Sequence, residues 1–182
     1  MQLVECGQAA GILVAELRGE LSDGQWNAAQ TWLTIAERSR FESEVVGRAE
    51  RFLAGRFLLR SLVAEAIGCA PSAVVVSAAC GDCGKEHGAP VGWVGQRRVY
   101  ASLSHTGSAH VAAVSENHWV GIDIESARTG VDVVEWTARE AASKLDGVGL
   151  RQSSRELADF ELRSFNVQNC AGTLAWSSPP RS

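Results

Sequence analysis

The chain has no excess of positive charge, no long apolar run and no paired array of cysteines, and each absence removes a class of function. Its 182 residues carry 17 Lys and Arg against 21 Asp and Glu, a net charge of −4. A nucleic-acid-binding domain is normally basic, so nucleic acid is not expected as a partner, although a local basic pocket is compatible with this balance. No apolar run approaches the roughly 18 residues of a membrane span. The first 17 residues are fairly apolar but contain Glu5 and Glu16. They lack a basic leader and a small-residue cleavage site, so they do not read as a signal peptide and a cytoplasmic location is expected. The five cysteines are odd in number, and only Cys80 and Cys83 lie close together, which argues against a disulfide framework. There is no short internal repeat and no Gly-x-Ser-x-Gly nucleophile elbow.

What remains is an ordinary globular composition, 46% hydrophobic and 21% charged, long enough for one domain or two small fused ones. Ile12, Leu13 and Val14 read as a strand. Ser22-Asp23-Gly24 reads as a turn or helix start, and residues 25–40 as a helix carrying Trp26, Trp32, Leu33 and Ile35. Residues 42–67 give the strongest helix, with apolar residues at three- and four-residue steps, a Gly68 cap and a block at Pro71. Residues 73–76 read as a short strand and 79–92 as a glycine-rich loop. Strands follow at 99–103 and 109–114, joined by a turn at Thr106-Gly107, and at 119–125. A helix is expected at about 134–145, stopped by Gly147 and Gly149. Residues 156–165 fit a strand or a helix, and 169–182 a loose tail.

The chemistry concentrates in Gly121-Ile122-Asp123-Ile124-Glu125 and the helix that follows. Alternation on a strand places Asp123 and Glu125 on one face, about 7 Å apart by Cα, and both isoleucines on the other. Two carboxylates so held are half of a hard-cation site. Glu140 and Lys144, four apart, share a helix face. Lys144 there either faces a leaving phosphate or pairs with Glu140 as a surface salt bridge. Three acids and a lysine point to metal-assisted chemistry on a phosphate.

Other clusters are weaker by themselves. Ser104 and His105 are adjacent on a strand and so face opposite ways, which excludes a nucleophile–base pair; at a strand end both can instead donate to a phosphate. Arg48, Arg51, Arg56 and Arg60 decorate the long helix, Arg56 and Arg60 on one face. A solvated face is the simpler reading and a cationic wall for phosphates the sharper one. Cys80, Cys83 and His87 have zinc-like spacing, but no second ligand pair is in sight. A zinc-stabilised interaction module is the reading from another functional class.

Taken in order, Gly55-Arg56-Phe57-Leu58-Leu59-Arg60, the loop of residues 80–90, Ser102-Leu103-Ser104-His105, Gly121-Ile122-Asp123-Ile124-Glu125 and Trp136-Thr137-Ala138-Arg139-Glu140-Ala141-Ala142-Ser143-Lys144 resemble the 4′-phosphopantetheinyl transferase family, of the larger Sfp-like type. The resemblance extends over about residues 48–150. It implies Mg²⁺-dependent transfer of the phosphopantetheine arm of coenzyme A to a serine of an acyl or peptidyl carrier protein. It further implies magnesium at Asp123, Glu125 and Glu140, deprotonation of the carrier serine aided by Glu140, and stabilisation of the leaving group by Lys144. Ser104 and His105 would contact coenzyme A phosphates, with Arg51 and Arg56 as cationic contacts. Lys85 would substitute for the lysine that this family places before Pro90, where this chain has Ala89.

The implied fold is α+β, two pseudo-twofold halves, here residues 1–105 and a reduced C-terminal half at 106–182. It is reduced because the family places several tens of residues between the strand and helix motifs, whereas Glu125 and Glu140 are fifteen apart here. A repurposed member that binds a carrier protein or its pantetheine-bound substrate is the alternative. A shortened half would expose apolar surface, and a homodimer would cover it.

Overall fold

A computed structural model describes residues 1–4, 11–79, 86–126, 132–146 and 156–178. In chain order the elements are β1 (Gln2–Leu3), β2 (Ile12–Arg18), α1 (Asp23–Trp32), α2 (Ile35–Ser43), α3 (Val46–Ile67), β3 (Val75–Ala79), β4 (Glu86–Val94), β5 (Arg97–Thr106), β6 (Ala109–Ser115), β7 (Trp119–Ser126), α4 (Val133–Asp146), β8 (Glu161–Val167) and β9 (Cys170–Ser177). The class is α+β, with every strand pairing antiparallel.

The helix expected at 25–40 is two helices. Leu33 is extended, and Thr34 starts α2 with a capping box in which its hydroxyl accepts from Glu37 N–H and Glu37 accepts from Thr34 N–H. The apolar run through Trp32, Leu33 and Ile35 hides this break, and Ile35 is 91% exposed. Helix α3 starts at Val46 rather than 42, because Glu44 and Val45 are extended. It ends as expected at Gly68, whose left-handed backbone (φ 76°) donates to Ala64 O.

Arg56 and Arg60 belong to neither of the surfaces expected for them. Both are buried against Glu37, Arg56 Nε at 2.8 Å and Arg60 through two bonds of 2.7 and 3.1 Å, while Arg60 Nε donates to Val74 O at 3.1 Å. Burial opposes ionisation of Glu37. The Arg60 hydrogen bonds, the Thr34 N–H and the charges of both arginines outweigh it and hold the carboxyl below its ordinary range. One acid therefore caps α2 and anchors it to α3.

Six strands form one sheet in the order β1-β2-β6-β5-β4-β3, and three form a second in the order β7-β9-β8. Four layers result. Helix α3 covers one face of the large sheet through Leu53, Leu58, Leu62, Ala112 and Val114. The opposite face packs on the small sheet through Val14, Val111, Ile122, Ile124 and Leu174. Helix α4 covers the far face of the small sheet through Ala141, Ala142, Leu145 and Ala175. A division at 105/106 would cut the β5–β6 hairpin, which pairs from Tyr100–Ser115 to Thr106–Ala109; the two sheets part at residues 116–118 instead.

Two further expectations change. Residues 86–92 are strand rather than loop. The tail from 169 supplies β9, the central strand of the small sheet, and 156–165 contains a 3₁₀ turn leading into β8. Strand β9 escapes a periodicity test because both of its faces are covered, leaving no alternation to read. Among the described residues, no helix is long and apolar enough to cross a membrane.

Helix α4 lies so close to β7 that a Cβ on Gly121 would stand 1.9 Å from the Ala141 carbonyl oxygen. Gly121→Ala is therefore expected to cost about 3 kcal/mol in urea unfolding. Gly24→Ala, with open space around it, leaves stability unchanged or raises it by up to about 1 kcal/mol. Glu37→Gln strands two buried guanidinium groups and should cost about 3–5 kcal/mol at pH 7. Because the folded-state pKa of Glu37 is lowered, its contribution is present above the ordinary glutamate range and fades as pH falls. The gap between wild type and Glu37→Gln should narrow in unfolding curves at acid pH.

Candidate functional site

Strand β7 pairs with β9 along one edge. Among the described residues its other edge has no ladder partner, and serine side chains of β5 bond to it. Ile122 N–H donates to Ser102 Oγ at 3.0 Å and Ile124 N–H to Ser104 Oγ at 3.4 Å. The two serines are two residues apart and so project from the same face of β5, matching the alternation of β7. Ile122 and Ile124 fill the core between the sheets, which turns Asp123 toward α4.

Asp123 is the centre of the site. It is 5% exposed, and its Oδ1 accepts from Ser104 Oγ at 2.8 Å and from Lys144 Nζ at 2.7 Å. Lys144 also donates to Ile122 O at 3.1 Å, so it pairs with β7 rather than with Glu140. The remaining Asp123 oxygen, Oδ2, is buried with no hydrogen-bond partner among the described residues. Ser104, expected to face a phosphate, is buried and orients Asp123 instead.

Glu140 lies one turn before Lys144 on α4 and is partly buried. Burial raises its pKa, and so do the charges of Asp123 and Glu125, against the opposing effect of Lys144. Three carboxylates thus share one field, the condition under which one holds its proton more tightly. Among the described residues, no three His, Cys, Asp or Glu side chains are grouped as a ready metal site. The donor chemistry nonetheless suits a divalent cation: an unsatisfied buried Asp123 oxygen, and a Glu140 whose ionisation is opposed by two neighbouring acids.

A cationic rim stands beside the acids. His105, partly covered at the end of β5, has its pKa lowered by that partial desolvation and by the charges of Arg51 and Lys144, with Asp123 opposing. Arg51 is exposed on α3. His110, the cross-strand partner of His105, stacks on it with ring centroids 5.6 Å apart. It is 4% exposed, with Nδ1 unpartnered. Burial, then His105 and Arg51, push His110 down to about 4. It is therefore neutral at pH 7, which leaves Arg51 and Lys144 as the charged members of the rim.

The structure thus gathers Asp123, Glu125, Glu140, Lys144, His105 and Arg51 into one electrostatic neighbourhood. Arg56 stays with Glu37 in the scaffold. Lys85, Cys80 and Cys83 lie outside the described residues, as does the side chain of His87. Sequence reasoning missed Ser102, although its two-residue offset from Ser104 was readable. It missed Glu37, whose Thr34-x-x-Glu37 spacing was a helix-start signal. It also missed Thr137 and Thr173, whose hydroxyls meet at 2.9 Å and fix α4 on β9. For His110 the sequence carries no local signal.

No protein-family model matches the chain, and no curated protein matches it.

Opposite effects are expected from two residues one turn apart. Glu140 has a raised folded-state pKa, so its ionisation costs stability as pH rises through that pKa. Glu140→Gln should therefore melt at an equal or higher temperature than wild type at pH 8, with the difference vanishing at pH 4. Lys144→Met leaves the buried Asp123 carboxylate without its cation and should cost about 1–3 kcal/mol at pH 7. Thermal melts of both variants across that range check the pair.

Proposed function

We propose that the protein transfers the 4′-phosphopantetheine group of coenzyme A to a serine hydroxyl of an acyl or peptidyl carrier protein. The observation that carries this reading is Asp123: a buried carboxylate with one oxygen fixed by Ser104 and Lys144 and the other unsatisfied, beside Glu125 and Glu140. Two α+β units, a larger one built on α3 and a smaller one built on α4, meeting through their sheets, are the architecture this reading calls for.

Asp123, Glu125 and Glu140 are the residues that would hold magnesium. The ion would supply charge neutralisation on the pyrophosphate oxygens. Glu140, one turn from Lys144 and in the field of Asp123, would accept the serine proton as the serine oxygen bonds to the phosphorus nearer the pantetheine. The bond from that phosphorus to the bridging oxygen breaks, and adenosine 3′,5′-bisphosphate leaves. Lys144, held on β7 by Ile122 O and Asp123, presents a fixed positive charge to the leaving oxygens. Arg51 and His105 form the rim available to the remaining phosphate.

Incubation with coenzyme A, Mg²⁺ and apo carrier protein should add one phosphopantetheine to the carrier by intact mass. Glu140→Gln should lower kcat by about 100-fold or more, the usual scale for losing a general base. No mass gain on a panel of acyl and peptidyl carriers, with coenzyme A binding intact, would move the assignment to the repurposed binding role.

A further inference from the structure

The sheet face that α3 covers changes character toward the β5–β6 turn. Along β6, Val114, Ala112 and His110 are two residues apart and share that face. The first two belong to the apolar core, whereas the third is a buried imidazole. Directly across the ladder stands His105, next to the last residue of β5. The two rings are 5.6 Å apart by centroid and 21° from parallel. That separation lies inside the range of about 4.5–7 Å in which aromatic rings attract.

The pair is asymmetric. His110 is buried, and close packing fixes its ring. His105 is partly covered, and among the described residues no hydrogen bond or ion pair holds its ring. The stack on His110 therefore sets the plane in which the His105 nitrogens lie. The platform is also electrically quiet. Burial, then His105 and Arg51, push His110 down to about 4, so at pH 7 it adds no charge to a rim that already holds Arg51 and Lys144. Arg51 acts on both imidazoles, which places all three side chains at one corner of the site.

We propose that His110 is a positioning residue: a buried aromatic platform that fixes the His105 ring, so that its N–H is presented to a phosphate of the bound nucleotide. The inference rests on the transferase reading above and adds to it a residue that acts through His105 rather than on the ligand. A ring already held in one plane loses less freedom when the phosphate arrives, and that saving appears as affinity. The property required of position 110 is a flat, neutral face. A phenylalanine supplies one; a leucine, though apolar and of similar bulk, does not.

Calorimetric titration with adenosine 3′,5′-bisphosphate at pH 7 tests the assignment. His110→Leu replaces a buried imidazole, whose Nδ1 has no partner among the described residues, with an apolar side chain, so the variant should fold at least as well as wild type. It should weaken binding by about three- to tenfold, the scale of one aromatic pair. His110→Phe keeps the ring and should stay within about twofold of wild type. In a His105→Ala background, His110→Leu should have no further effect, because the residue through which position 110 acts is gone. Unchanged affinity in His110→Leu, an equal loss in folded His110→Phe, or the same loss with and without His105 would overturn the platform and leave the transferase reading standing. Failure of wild type to bind the bisphosphate would overturn both.

Discussion

The site depends on how one strand edge is satisfied. A strand in the interior needs partners for its N–H and C=O groups on both sides. Among the described residues, strand β7 finds a full ladder on only one side, in β9. On the other, Ser102, Ser104 and Lys144 take the place of a strand, binding the N–H groups of Ile122 and Ile124 and the carbonyl of Ile122. This substitution has a chemical consequence. A backbone partner would have consumed only backbone groups, whereas Ser104 and Lys144 also reach the Asp123 side chain. The joint between the two sheets and the orientation of the central carboxylate are therefore one interaction, and loosening either loosens the other.

The sequence made some of this legible and concealed the rest for identifiable reasons. The alternation in Gly121-Ile122-Asp123-Ile124-Glu125 gave the strand and its two faces, and the four-residue step from Glu140 to Lys144 gave the shared helix face. The partner of Lys144 was not readable, because Gly121 brings α4 against the β7 backbone and so carries the lysine past Glu140 to Asp123. A glycine at the start of an apolar strand is ambiguous in sequence; only the helix above it reveals its purpose. Strand β9 was concealed because burial on both faces erases periodicity, and the α1–α2 break because apolar residues on either side of Thr34 continue a helical pattern.

Arginine placement shows the same limit. Four arginines on one helix look alike in sequence, yet they divide into two roles. Arg48 and Arg51 are exposed near the start of α3, while Arg56 and Arg60 share Glu37 inside the fold. The difference lies in Glu37, 19 residues before Arg56 and 23 before Arg60 in the chain, which no local pattern connects to them. Burying two cations with one carboxylate is eased by the Val74 carbonyl, which accepts from Arg60, and by the Phe52 ring, over which Arg56 lies.

The short connection between Glu125 and Glu140 still brings α4 across β7, for a geometric reason. Bringing the helix acids and Lys144 over the strand acids requires only that α4 start soon after β7 ends and then fold back across it. Asp132 starts the helix by accepting from Val134 N–H and Glu135 N–H, each at 3.1 Å. Gly121 then removes the side chain that would keep the helix away. Thr137 fastens the same helix to Thr173 on β9, so the strand beneath it is supplied by the C-terminal hairpin. The small half thus keeps the one crossing on which its charges depend, a helix over a paired strand.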